Sequence, residues 1–320
     1  MRLRMQRILN STMADCRFLV YSRRALWFLG LLVAIQSVSF VGTYSSVTAQ
    51  RDFFVQKVAE YHSHGEELSD ALQRPVRVID KGGGLQSIEN PLKYDYIQLS
   101  NSVYALDGAN LIGTTVDYAA FLLFPLLFVY LGLLLSTFDR QSRTTLLRLS
   151  RNRWSDVRLS KVVTVVVVAG ATTVALFCIA LLASLVTAPM VDDLRHGIGF
   201  PVVAPESVSP LWLKGVFAFG CAVFFGLAGL GLGALTRNVT VPLVGVSIVT
   251  FAVPIMTRFD PRNALAVIGQ SVLDFWGQFK AVPAAPSSPG SALLMLGAWG
   301  VAFFLMFRVF FSRFRNLDRS

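Results

Sequence analysis

Six stretches of the chain stay apolar for about 20 residues each, with polar positions gathered between them rather than alternating through them. The runs are 25–47, 118–138, 162–188, 213–236, 239–257 and 291–311. At a rise of about 1.5 Å per residue, a helix of this length crosses the roughly 30 Å hydrocarbon core of a bilayer. The pattern therefore predicts an all-α polytopic membrane protein with six transmembrane helices. A seventh apolar stretch, Ala264 to Trp276, is too short to span and is expected to form a re-entrant or interfacial helix within loop 258–290. Arg23 and Arg24 precede the first run, and Val47-Thr48-Ala49 loosely resembles a signal cleavage site. That run is longer than the usual signal core of about 7–15 residues, so it is expected to remain as the first span.

Composition agrees with this pattern. The chain is 54% hydrophobic and 15% charged, with mean hydropathy +0.57; a soluble domain carries about 25% charged residues. Charge then supplies an orientation. The lead-in 1–24 (basic and amphipathic), the loop 139–161, the joint Thr236-Arg237-Asn238, and the C-terminus from Arg308 through the tail 312–320 together hold 18 of the 29 Lys/Arg. The excess of Arg and Lys predicts that all four lie on the cytoplasmic face of the cytoplasmic (inner or plasma) membrane. The opposite side then receives an extracytoplasmic domain, 48–117, with ten acids against six Lys/Arg, and the loops 189–212 and 258–290. The net charge of +10 comes from Arg clustered beside apolar runs, which points to topology and lipid headgroups. No nucleic-acid-binding motif is visible, and no nucleic acid is expected as a partner.

Spans two to five carry no Asp, Glu or His near their midpoints; Asp117, Lys214 and Arg237 sit at ends. A charge at mid-bilayer costs about 2.5–3.5 kcal/mol or more and is kept where ions or protons are coupled. The pattern argues against a secondary transporter and against an intramembrane enzyme. A phosphate-binding loop needs G-x-x-x-x-G-K-[ST], and the chain has no Gly-Lys dipeptide. Any ATP and Mg must therefore be held by a partner subunit, with no cofactor in this chain. Cys16, Cys178 and Cys221 read as small packing residues. His62, His64, Glu66 and Glu67 surround Gly65, which disfavours a continuous helix, so they read as solvated surface rather than a metal site; His196 beside Asp192 and Asp193 reads the same way. No catalytic constellation is interpretable, and the chain is not expected to be an enzyme.

The loop 139–161 mixes seven Arg/Lys and two Asp with Leu146, Leu147, Leu149, Trp154, Val157 and Leu159. It reads as an orientation signal, as a surface for anionic lipid, or as a docking element for another protein. An aromatic side chain ringed by arginines is the composition of an interface anchor and favours docking. The segment resembles the cytoplasmic loop of ABC-2 type transporter permeases through Asp139, Thr144-Thr145, Leu146-Leu147, Ser150-Arg151-Asn152-Arg153-Trp154 and Lys161. It departs from that pattern at Arg143, where the family has Gly, and at Asp139, where Glu is commoner. Gly229-Leu-Gly231-Leu-Gly233-Ala-Leu-Thr-Arg237-Asn238 is similar to the family's glycine-rich end of span four, and Gly229 and Gly233 are spaced to let two helices approach closely. Six spans, the basic lead-in and a broken hydrophobic hairpin before span six complete the likeness.

The resemblance implies the permease subunit of an ATP-driven exporter, working with a second permease copy, identical or related, and an ABC ATP-binding subunit, within membrane lipid. It implies that Thr144, Thr145, Leu147, Arg151, Arg153, Trp154 and Arg158 form a coupling helix docking on that ATPase. Phe121, Phe124, Tyr130, Val246 and Phe251 are the candidates for lining a translocation path, on the aromatic and apolar content of spans two and five. The alternative reading is a non-transporting membrane scaffold or sensor whose ectodomain receives a ligand.

Overall fold

Five helices reach membrane-crossing length in the computed structural model, which describes residues 2–80, 86–141, 153–198, 201–205, 208–255, 257–276 and 281–317. Helix α1 (Arg2–Tyr21) leads into α2 (Arg24–Ser63) through Arg23, whose φ of 57° turns the chain sharply. A short α3 (Leu68–Gln73) and an antiparallel pair, β1 (Val78–Asp80) with β2 (Gln86–Ile88), precede α4 (Pro91–Ala105) and α5 (Gly108–Tyr118). One π turn, Ala119–Leu123, joins α5 to α6 (Phe124–Gln141). Pro125 explains it: proline cannot donate the next helical bond, and the wider turn accommodates the loss. Then follow α7 (Trp154–Gly197), α8 (Leu211–Thr236), α9 (Thr240–Phe251), α10 (Pro261–Val272) and α11 (Pro289–Leu317). This is the architecture of a helical membrane protein.

Helices α6 and α8 run parallel and form the centre of the bundle. Glycines set their spacing. A Cβ on Gly132 would lie 2.3 Å from the Gly226 carbonyl oxygen, one on Gly229 2.2 Å from that of Val129, and one on Gly233 2.0 Å from Ser136 Oγ. The two backbones are therefore closer than any side chain allows, and dispersion replaces the hydrophobic drive that lipid does not provide. Around this pair, Phe124, Phe128, Leu131, Val165, Ala169, Ala222 and Leu230 make the buried core.

Several boundaries differ from the apolar runs. The helix of the first run does not end at 47: α2 continues as one helix of 40 residues, about 60 Å long. The third starts within the predicted loop and continues through Pro189, giving 44 residues and about 66 Å. Both helices project beyond a bilayer thickness at one end. There they meet α4 and α5 through Lys57–Asp95 at 2.5 Å and Arg195–Asp107 at 2.9 Å. A second apolar cluster, including Val47, Phe54, Tyr96, Leu99, Val103, Val191 and Leu194, fills this layer. Segment 48–117 is thus built on the extensions of two long helices.

The fifth run also needs correction. Residues 239–257 do not make one membrane-length helix; α9 has 12 residues, about 18 Å, and stops at Phe251. Pro254 disfavours helical backbone at the residue before it. The short apolar helix expected at 264–276 is present as α10, shifted to Pro261–Val272 and largely buried. Asp260 caps it, accepting from the Arg262 amide, with proline at the first helical position.

Candidate functional site

The two ends of the basic loop meet inside the protein. Lys161, on the first turns of α7, is fully buried and places Nζ 3.0 Å from Asp15 Oδ1 and 2.8 Å from Asp139 Oδ2. Asp139 closes α6, and Asp15 comes from α1. One lysine therefore ties together three helices at the root of the segment 142–152, which lies outside the described residues. Flanking bonds extend the joint: Ser11 and Ser160 hydroxyls pair at 2.9 Å, and Arg4 Nε donates to Asp156 Oδ1 at 3.0 Å. Isolated charges would not persist at this depth, so each ion depends on the others.

Helix α1 is turned inside out relative to a soluble amphipathic helix. Ser11, Thr12, Asp15 and Leu19 face the bundle, while Met5, Leu9, Met13 and Val20 are exposed. Positions 5, 9 and 13 lie one turn apart, so the outward stripe is apolar. Such a helix suits a membrane interface, with its polar face held by protein and its apolar face in lipid. Beside the triad, burial, and after it the charge of Asp15, pushes the Cys16 thiol up from its usual range.

The residues expected to dock a partner divide three ways. Thr144, Thr145, Leu147 and Arg151 lie outside the described residues. Arg153 is exposed at the N-cap of α7. Trp154 and Arg158 are half-buried and contact their own chain. The Trp154 ring stacks on Phe311 of α11 at 5.1 Å, and Arg158 Nη1 donates to the Arg308 carbonyl at 3.1 Å. Composition alone marks an aromatic residue among arginines as sticky without saying that its own chain contacts it.

The candidate path residues do not share one surface. Phe124 is fully buried, edge-on to Phe128 at 5.2 Å, and so lines no opening here. Phe121 packs on Phe217 and Phe275, both at 6.0 Å. Tyr130 is half-buried on α6, Val246 is half-buried on α9, and Phe251 is exposed at the end of α9. Gly229 and Gly233 occupy the close α6–α8 approach described above.

A second polar cluster, not anticipated from the sequence, lies at the other end of the bundle. Lys214, near the start of α8, pairs with Asp274 just after α10, and its Nζ sits 5.5 Å from the Trp276 ring centre. Asp274 also accepts from the Ser209 amide at 3.0 Å. Asp117 is buried nearby, accepting from the Phe275 amide, and its Oδ1 has no hydrogen-bond partner among the described residues. Asp274 inside an otherwise apolar stretch was the available signal. Above this cluster, a cavity of about 700 Å³ is lined by Lys93, Tyr96, Ser100, Asn101, Val203 and Trp276 among others. Burial raises the Tyr96 phenol, against a smaller lowering by Ser100. Among the described residues no group of three or more His, Cys, Asp or Glu side chains forms a metal site.

Comparison of the chain with protein-family models, with curated proteins and with solved structures finds no match in any of the three.

Proposed function

We propose that the chain is the permease subunit of an ATP-driven ABC-2 type exporter, in which residues 142–152 take force from a separate ATP-binding subunit. The observation that carries the reading is the Asp15–Lys161–Asp139 joint. A loop anchored in flexible tethers would absorb a push. This loop is rooted in a buried ionic knot across α1, α6 and α7, so displacement at its tip moves two long helices and the interfacial helix together. The chain has no Gly-Lys dipeptide, which supports a partner as the holder of ATP; in this reading a second permease copy completes the path.

The same reading orients the molecule. Arg4, Arg7 and Arg153 lie at the end of the bundle that holds the triad, and in this reading that end faces the cytoplasm. The chain leaving α8 starts beside Ser136, at the triad end, and returns in α11 from α10 at the opposite end. On this reading α9 and the chain after it make the sixth crossing, and both termini are cytoplasmic. Segment 48–117 then lies outside.

Charge reversal tests the docking. Arg151→Glu with Arg153→Glu should abolish co-purification of the ATP-binding subunit while leaving the yield of folded permease unchanged. Arg158 belongs outside this test, because it bonds within its own chain. Association unaffected by the double reversal would refute the docking role. A second reading, a membrane sensor, is favoured by the cavity over Tyr96 and Trp276; it predicts ligand binding there with no ATPase attached.

A further inference from the structure

We infer that a pocket between α1, α7 and α11 holds the phosphate headgroup of an anionic membrane lipid. The pocket has a volume of about 290 Å³, and three arginines from three helices converge on it: Arg4, Arg158 and Arg308. Arg4 is partly neutralised by Asp156, 3.0 Å from its Nε. Arg158 donates one N–H to the Arg308 carbonyl at 3.1 Å, leaving most of its five donors for another acceptor. Among the described lining residues there is no acid to balance Arg158 and Arg308. Like charges brought together by three separate elements call for an anion between them, and a planar guanidinium pairs with phosphate oxygens in a fork.

The remaining walls identify the source of that phosphate. Leu159, Phe304 and Phe307 line the same pocket, and Leu159 and Phe304 are exposed at its rim. The pocket sits where α7 begins and where the apolar part of α11 ends, the level of headgroups. Below it, α11 presents Val301 and Leu305 outward, with only 6% of its apolar window buried. A headgroup held by the arginines would lay its acyl chains along these side chains, whereas inorganic phosphate would leave them uncovered. The site needs only a membrane-embedded chain and does not depend on ATP-driven transport.

The test uses the full chain, stripped of lipid in detergent and then given phosphatidylglycerol or phosphatidylcholine, with bound lipid counted by native mass spectrometry. Phosphatidylglycerol should remain bound and phosphatidylcholine should not. Arg158→Gln with Arg308→Gln should weaken phosphatidylglycerol retention about thirtyfold, at about fivefold per arginine. Arg308→Gln alone keeps the carbonyl that Arg158 uses, so its expected fivefold loss is read on an undisturbed fold. Arg7→Gln, on an exposed face of α1, should change nothing. Equal retention of the two lipids, or equal retention by wild type and the double variant, overturns the assignment. Displacement of phosphatidylglycerol by an equal concentration of inorganic phosphate would assign the pocket to soluble phosphate instead and also overturns it. No ATPase is present, so failure here leaves the transport reading standing, and failure of that reading leaves this one.

Discussion

Replacing Lys161 by Met removes a cation that contacts both Asp15 and Asp139 in the interior. At 3.0 and 2.8 Å, and an effective dielectric of about 20, each attraction amounts to roughly 5–6 kcal/mol before desolvation is subtracted. Removing one side of a buried ion pair costs about 3–5 kcal/mol, because the other side stays buried without compensation. Melting of the purified protein in detergent should therefore fall by roughly 5–15 °C. The triple variant Lys161→Met, Asp15→Asn, Asp139→Asn separates charge from packing. It removes the charges of all three residues together, so it should recover most of the loss. A single variant that melts like wild type would refute the reasoning. A triple variant no more stable than the single one would do so too, since the loss would then be one of packing.

Gly229→Val forces a Cβ to within 2.2 Å of the Val129 carbonyl, and the α6–α8 pair should separate, with folded yield falling sharply in size-exclusion chromatography. Lys214→Met leaves Asp274 and Asp117 facing each other without a cation, and protease cutting near residue 281 should accelerate as α10 loosens. Asp260→Ala removes the α10 cap and its bond to Arg262, costing about 1 kcal/mol of stability on the capping term. The Cys16 thiol, raised above its usual 9.0, should react with maleimide at pH 8 more slowly in folded than in denatured protein. The sign follows from linkage. The folded state holds that proton more tightly, so its contribution is full below pH 9 and lost as pH rises through the raised value.

Run length in the sequence locates the long helices well, because a bilayer selects on apolar length alone. It misplaces their ends, because helices continue through polar residues wherever a neighbour pairs with them, as Lys57 of α2 does with Asp95. Residues 252–255 are apolar yet non-helical, since hydropathy does not register the backbone restriction before Pro254. Lys161 and Asp139 were visible as the borders of the basic loop, but Asp15 lies 146 residues from its partner, and nothing local links them. The stacking of Trp154 was hidden for the same reason: Phe311, its ring partner, lies near the far end of the chain.

Purification of the full chain from its native membrane, followed by measurement of ATP hydrolysis, tests the central claim most directly. The account predicts a stoichiometric ATP-binding subunit in the complex. That subunit should be lost when residues 142–152 are replaced by a glycine-serine segment of equal length while Lys161, Asp15 and Asp139 are retained. A chain that purifies with no ATP-binding protein and no ATP hydrolysis, though fully folded, would contradict it.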